Sequence, residues 1–419
     1  MRITILTAGS RGDVQPYAAL GVGLKAAGHR VRLATHGCFE PMIRDVGLEF
    51  HRIGGDPKGI LEGEAGQRWL EANQNTFAFL KRMMDATRPV MWQNLNDYWG
   101  ACQDAELILY PILAALPAAS IAEKLKLPAF PVYLQHVHPT RSYPSAIAVP
   151  IPSLGWVYNR LTYSVGGQLF WQFMRPVMNR WRTEVLNLSP YPLGGPFREW
   201  LDRRNPCFYG ISPSVLPRAT EWGEEVHIMG YWFLSTPAEW QPPASLVDFL
   251  RSGPAPVFIG FGSMTGRNPE EVTTMVLKAL AQARQRGILL SGWGGLSDSD
   301  LPDDVYQIDS VPFDWLFPRM AALVHHGGAG TTAAGLRAGI PTVVVPFFGD
   351  QHFWGWRVEA LGAGPKPVPR RKLTAGRLAS AIREAVTSVA MRNRAASLGR
   401  QIQAEDGVAN AVEAIARYI

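Results

Sequence analysis

Two histidines, three glycines and two threonines stand together in His325-His326-Gly327-Gly328-Ala329-Gly330-Thr331-Thr332. The run follows an apolar strand ending in Leu323-Val324 and precedes a helical stretch through Ala333, Ala334, Leu336 and Ala338. Glycines at a strand-to-helix turn let the backbone approach a ligand closely. The helix N-terminus then offers free N–H groups and a partial positive charge, which suits phosphate. Thr331 and Thr332 add hydroxyl donors and His326 a ring nitrogen. The plainer reading is a glycine-rich turn with a capping threonine. Some twenty residues on, Pro346-Phe347-Phe348-Gly349-Asp350-Gln351 follows the apolar strand Thr342 to Val345. A carboxylate accepts from sugar hydroxyls, and a carboxamide both donates and accepts. Asp350 in isolation also reads as a helix N-cap.

A third turn, Gly9-Ser10-Arg11-Gly12-Asp13-Val14-Gln15-Pro16, lies near the start. Taken alone, Asp13 there reads as a helix cap, with Pro16 tolerated in the first turn. Neither a Walker A sequence nor a G-x-G-x-x-G fingerprint is present, so a nucleoside triphosphatase or a dehydrogenase is poorly supported. Asp298-Ser299-Asp300 has the spelling of a divalent-ion motif but sits in a run, Leu296 to Asp304, that reads as a solvated loop. His136 and His138 have the spacing of one strand face, which metals use. A structural pair or a pocket lining is the preferred reading. The three cysteines, Cys38, Cys102 and Cys207, are far apart and support neither a disulfide framework nor a zinc site.

The elements that must position these residues are short apolar strands alternating with helices. Arg2 to Thr7 reads as a strand, Tyr17 to Ala27 as a helix closed by Gly28, and Val31 to Thr35 as a second strand. Further strands fit residues 106–110, 129–133, 256–261, 288–291 and 321–325, with a helix over Glu270 to Gln285. Such alternation predicts an α/β fold with parallel sheets. A length of 419 residues predicts two domains. Residues 235–244, with three prolines, read as the linker between them. Between residues 130 and 205 the texture changes, with many Tyr and Trp broken by Pro and Gly. That stretch reads as irregular helices and loops that cover a core or line an aromatic acceptor pocket with a membrane-facing rim.

With 47% hydrophobic and 18% charged residues the chain is globular. Its net charge of +6 is spread without a long basic run, and no nucleic-acid recognition motif accompanies it. No apolar segment reaches the roughly 20 residues that span a bilayer. The expectation is a cytoplasmic protein whose membrane contact, where it has one, is peripheral.

The three turns, taken in order, resemble the family-1 glycosyltransferases of the GT-B fold. The similarity is strongest to the sterol 3-beta-glucosyltransferase-like branch. Ser212–Pro217, Gly230–Phe233, Gly260–Met264 and Gly292–Gly295 carry further matches. The resemblance implies two facing Rossmann-like domains with a cleft between them. Residues 1–234 would bind the acceptor, 245–400 the sugar nucleotide, and 401–419 would form a helix crossing back. It implies an inverting hexosyltransferase with no cofactor and no metal. The donor would be UDP-glucose and the acceptor a sterol or similar hydroxylated lipid. Asp13 would be the general base. Ser263, His326, Gly328, Gly330 and Thr331 would hold the donor diphosphate, and Asp350 and Gln351 the donor sugar. Trp293 and Val311 would flank the base, while His136, Tyr143 and Trp171 would line the acceptor site. Many plant members carry a ribose-binding Glu where this chain has Ala334, which leaves the ribose contact unassigned. Three other readings compete. They are transfer to a secondary-metabolite aglycone (macrolide, glycopeptide, triterpenoid or hopanoid), a sugar-nucleotide 2-epimerase, and a sterol- or UDP-sugar-binding protein without catalysis.

Overall fold

The computed structural model describes residues 1–57, 59, 76–197, 200, 204–261, 269–291 and 301–419. The chain divides into two compact units. One holds nearly all of residues 1–234 together with Glu405–Ile419, and the other holds Ser235–Ala404.

The first unit is built on a seven-stranded sheet in the order β3-β2-β1-β4-β5-β6-β7. Its strands are β1 (Arg2–Leu6), β2 (Arg30–His36), β3 (Glu49–Ile53), β4 (Leu107–Tyr110), β5 (Ala129–Tyr133), β6 (Cys207–Tyr209) and β7 (Val226–Ile228). The second unit carries a five-stranded sheet in the order β10-β9-β8-β11-β12. These strands are β8 (Val257–Gly260), β9 (Gly287–Leu290), β10 (Val305–Ile308), β11 (Ala322–His325) and β12 (Thr342–Val344). Neighbouring strands in both sheets pair in parallel. Every residue of β4, β8 and β11 is buried, without alternation. Continuous burial of this kind means that both faces of the sheet are covered, as parallel sheets require.

The longer helices are α1 (Arg11–Ala26), α2 (Thr76–Ala101), α3 (Ala115–Leu125), α4 (Gly155–Glu184), α5 (Pro269–Ala283), α6 (Ala329–Ala338), α7 (Gln351–Ala360), α8 (Ala375–Thr387), α9 (Val389–Gln403) and α10 (Gly407–Ala416). The α1 helix begins six residues before the expected Tyr17, so Pro16 lies inside it rather than in its first turn. The region of residues 130–205 is more ordered than its composition predicts, because α4 runs unbroken through Gly166, Gly167 and Pro176. Tertiary packing overrides those weak helix formers: Trp171, Met174, Met178 and Trp181 are buried along the helix.

The first unit's core joins Ile3, Ile5, Tyr17 and Leu20 to Ala411 and Ile415 of α10. Two groups tie α10 in place. The Trp232 indole N–H donates to the Gly407 carbonyl at 3.0 Å, and the hydroxyls of Ser212 and Ser214 donate to a Glu405 carboxylate oxygen at 2.7 and 2.9 Å. The second unit's core gathers Leu246, Phe258, Ile288, Leu316, Phe317 and Leu323.

Candidate active site

Strand order decides where ligands bind. In open parallel sheets the crevice lies beyond the carboxyl ends of the strands, where the chain switches direction across the sheet. In the second unit that switch falls between β8 and β11, which pair with His325 opposite Gly260. The histidine–glycine turn and the Asp350-Gln351 turn follow β11 and β12, so both leave the same edge of the sheet.

The histidine–glycine turn is shaped by close approach. Gly327 has φ +93°, and a Cβ there would meet the Val344 side chain at 2.6 Å and the Gln351 carbonyl oxygen at 3.1 Å. Glycine is therefore required by both conformation and space, and the two turns lie against each other. A Cβ on Gly328 would sit 2.6 Å from His326 Nε2. Gly328 is the N-cap of α6 and brings no side chain to the helix end. The first intrahelical bond is Thr332 N–H to the Gly328 carbonyl at 2.9 Å. The N–H groups of Ala329, Gly330 and Thr331 precede it and have no partner within the helix. Gly330 and Thr331 thus lie in the first turn of α6, where helix N–H groups point away from the helix.

His326 is half-buried, and a bond to the Gly260 backbone counteracts part of the desolvation that drives its pKa down to about 4. The neighbouring histidine holds the turn from within. His325 is fully buried, and its Nδ1 accepts from the Gly327 N–H at 2.9 Å. An accepting Nδ1 puts the proton on Nε2. That Nε2 is buried without a partner among the described residues. Burial, with a smaller contribution from His326, pushes the His325 pKa down to about 3, so the ring stays neutral. An orphaned buried N–H costs about 1–3 kcal/mol.

Gln351 is buried, and its carboxamide oxygen accepts from Phe347 N–H at 2.8 Å and Phe348 N–H at 3.3 Å. This orients the amide. Asp350 stands at the N-cap position of α7 but its side chain makes no capping bond to the helix backbone, unlike the plainer reading. One of its carboxylate oxygens accepts from the Trp354 indole N–H at 2.9 Å. Val311 is buried in the second unit's core beside Phe317. Ser263 and Trp293 lie outside the described residues, as does the Asp298-Ser299-Asp300 motif.

In the first unit the direction of the chain switches between β1 and β4, and Asp13 follows β1. Its carboxylate reaches back along α1. Asp13 Oδ2 accepts from Ser10 N–H at 2.8 Å and from the Ser10 hydroxyl at 2.9 Å. The Thr7 hydroxyl donates to the Asp13 carbonyl at 2.8 Å. Gly9 has φ +125°, and a Cβ on it would stand 2.5 Å from Asp13 Oδ2. Asp13 keeps some surface, yet desolvation outweighs the two Ser10 bonds and raises its pKa above the ordinary 3.8. One carboxylate oxygen, Oδ2, therefore holds the helix start.

The three acceptor candidates fare differently. Trp171 has no accessible surface and donates its indole N–H to the Leu193 carbonyl at 2.8 Å. It lines no space that even water enters, so its assignment to an acceptor pocket is corrected to core packing. His136 is buried, with Nε2 2.8 Å from the Pro144 carbonyl oxygen and its ring edge-on to buried Tyr143. His138 meets a different partner: Tyr209 Oη accepts from the Val137 and His138 N–H groups and lies 2.7 Å from His138 Nδ1. Among the described residues no three His, Cys, Asp or Glu side chains converge as a metal would need.

Comparison with known proteins agrees with this geometry. Residues 3–139 match the glycosyltransferase family 28 N-terminal domain, and residues 292–416 match the erythromycin biosynthesis protein CIII-like C-terminal domain. All of the chain aligns with the sterol 3-beta-glucosyltransferase of Aspergillus fumigatus at 40% identity and with that of Cryptococcus neoformans var. neoformans at 38%. The chain spans 30% and 27% of the length of these two relatives. Among solved structures, the calicheamicin glycosyltransferase CalG4 superposes with a TM-score of 0.72 at 19% identity, covering 100% of this chain and 98% of that one. The glycotransferase of kitacinnamycin gives 0.71 at 21%, with the same coverage. The Streptomyces glycosyltransferase SsfS6, solved in complex with thymidine diphosphate, gives 0.65 at 18%, covering 100% and 99%. The chain has the GT-B fold, carries a glycosyltransferase family 28 N-terminal domain and an erythromycin biosynthesis protein CIII-like C-terminal domain, and is similar over its whole length to sterol 3-beta-glucosyltransferases.

Proposed function

We propose that this chain transfers glucose from UDP-glucose to the hydroxyl of a sterol or sterol-like lipid, with inversion at the anomeric carbon and without a metal ion. The observation that carries the reading is the anion cradle at the second sheet's switch point. There, three helix N–H groups without intrahelical partners stand beside the His326 ring and would meet a diphosphate. Fixed donors of this kind stabilise charge that grows on a leaving nucleoside diphosphate. Asp350 and the Gln351 amide would take the sugar hydroxyls.

Asp13 would act as the base. A carboxylate cannot deprotonate a free alcohol outright, but it accepts the proton as the C–O bond forms. The hydroxyl oxygen attacks the anomeric carbon from the face opposite the departing UDP, its proton passes to Asp13, and the bond to the phosphate oxygen breaks. The sterol acceptor rests on the similarity of the whole chain to proteins named for that activity. A lipid acceptor also favours peripheral contact with a membrane, from the cytoplasmic side. A secondary-metabolite aglycone is the second reading, favoured by the erythromycin-type C-terminal match.

The test is incubation with UDP-glucose and, separately, a sterol, a hopanoid, a macrolide and a flavonoid, with and without a chelator, followed by mass spectrometry. A sterol hexoside that survives chelation is the expected product. A hexoside on the macrolide alone moves the acceptor to the second reading. UDP-glucose binding without any adduct removes the proposed transferase activity on these acceptors.

A further inference from the structure

Long apolar side chains that stay exposed are unevenly distributed in this protein. Of the twelve large hydrophobic residues exposed among those described, six lie between residues 151 and 165. Leu154, Val157, Leu161 and Val165 follow one another at helical spacing, each between 48% and 56% exposed. They form a single stripe along the first turns of α4, about 16 Å long at 1.5 Å per residue. Ile151 and Trp156 extend it sideways. The opposite face of the same turns is committed to the fold, with Tyr163 and Gly166 buried. Scattered exposed hydrophobics are ordinary, but a concentrated stripe marks a surface that meets something.

Charge identifies the partner. From Lys124 to Thr183 the sequence holds seven Lys and Arg and no Asp or Glu. Two of those basic residues belong to the stripe itself. Arg160 stands between Val157 and Leu161, and the Arg141 guanidinium lies 4.8 Å from the centre of the Trp156 ring. Neither side chain has an ion-pair partner among the described residues. Glu221, which reaches this segment, is taken up by the Thr140 hydroxyl and the Arg141 backbone N–H. A second copy of the chain is a poor partner, since a two-fold pairing of this face would set its uncompensated arginines against themselves. No helix among the described residues is long and apolar enough to cross a membrane.

We propose that the first turns of α4 are a docking face that lies in the headgroup region of a membrane rich in anionic lipid. The apolar stripe enters the headgroup–acyl boundary while Arg141 and Arg160 meet phosphate, and Trp156 sits at the level where amphipathic rings settle. This names the surface of the membrane contact proposed above and stands whether or not the acceptor is a sterol.

The test uses the whole chain and vesicles free of sterol and UDP-sugar, either pure phosphatidylcholine or phosphatidylcholine with about a third phosphatidylglycerol. Cosedimentation should favour the anionic vesicles at least tenfold, and salt should weaken the difference. Leu161→Glu with Val165→Glu should lower that partition at least tenfold, with the unfolding midpoint and UDP affinity unchanged. Should the glutamates disturb folding, Leu161→Gln with Val165→Gln makes the same comparison without adding charge. Wild-type protein that stays in the supernatant overturns the proposal, as does a variant that partitions like wild type. Light scattering that shows a wild-type dimer and a monomeric variant, with no vesicle binding by either, assigns the face to self-association instead. Loss of UDP binding would count against the proposed function, not against this surface.

Discussion

Asp13 carries two duties that can be separated by measurement. As a capping residue it accepts from Ser10 N–H and the Ser10 hydroxyl, an arrangement worth about 1 kcal/mol. As a base it must be ionised. Asp13→Asn keeps the shape but cannot take a proton, so transfer should fall by about 10²–10⁴-fold, while calorimetry finds UDP bound as in wild type. Burial raises the Asp13 pKa above 3.8, so activity should climb with pH through that raised value. The acid limb of kcat/KM should lie above the ordinary carboxylate range and vanish in Asp13→Asn. His326 provides the second residue-scale prediction. A Cβ on Gly328, the N-cap of α6, would sit 2.6 Å from His326 Nε2, and a hydrogen bond to a charged group contributes about 1.5–3 kcal/mol. On the proposed function His326→Phe should weaken UDP binding by roughly 10- to 150-fold, measured by calorimetry. Binding at wild-type strength would remove His326 from the donor site. His326, Gly330 and Thr331 stand out by type and spacing, whereas Asp13 taken alone reads as a helix cap and gains its expected role only from the family resemblance.

At the scale of elements, the sequence signals worked where strands are continuous apolar runs between turn residues. The strands around Ile3, Leu107, Phe258 and Val324 were legible for that reason. Strands β6 and β7 were not, since three residues apiece carry no period. Helix α4 was hidden by Gly166, Gly167 and Pro176, which read as breaks but are outweighed by buried Trp171, Met178 and Trp181. Helix α10 was expected from about residue 401, and α10 itself starts at Gly407. The reason is steric. A Cβ on Gly407 would fall 2.4 Å from the Tyr231 carbonyl oxygen and 2.5 Å from the Gly230 carbonyl carbon, so the helix starts where it can press against that backbone. Ile415 is fully buried in the first unit's core. Ile415→Ala should cost about 2–5 kcal/mol, read from urea unfolding of the first unit, whereas Val389→Ala at the exposed start of α9 should change little.

Across the whole molecule, buried histidines make stability depend on pH in one direction. Desolvation pushes the pKa of His136 down to about 4, of His325 to about 3 and of His352 to about 4. All three are buried, and the unfolded value is about 6.5. A folded-state pKa below the unfolded one means that, as pH falls, the unfolded chain takes up protons first. Their contribution is complete above about pH 6.5 and is lost as pH falls toward the folded values. At pH 5.5 each has given up about 1.4 kcal/mol. His136 and His138, whose pKa burial also lowers to about 4, lie in the first unit, and His325, His326 and His352 lie in the second. Both units should thus lose stability between pH 7.5 and 5.5. Urea titrations at the two pH values, followed by hydrogen exchange to assign each transition to its unit, check this. No loss in either unit would mean that the buried histidines are reached by protons without unfolding.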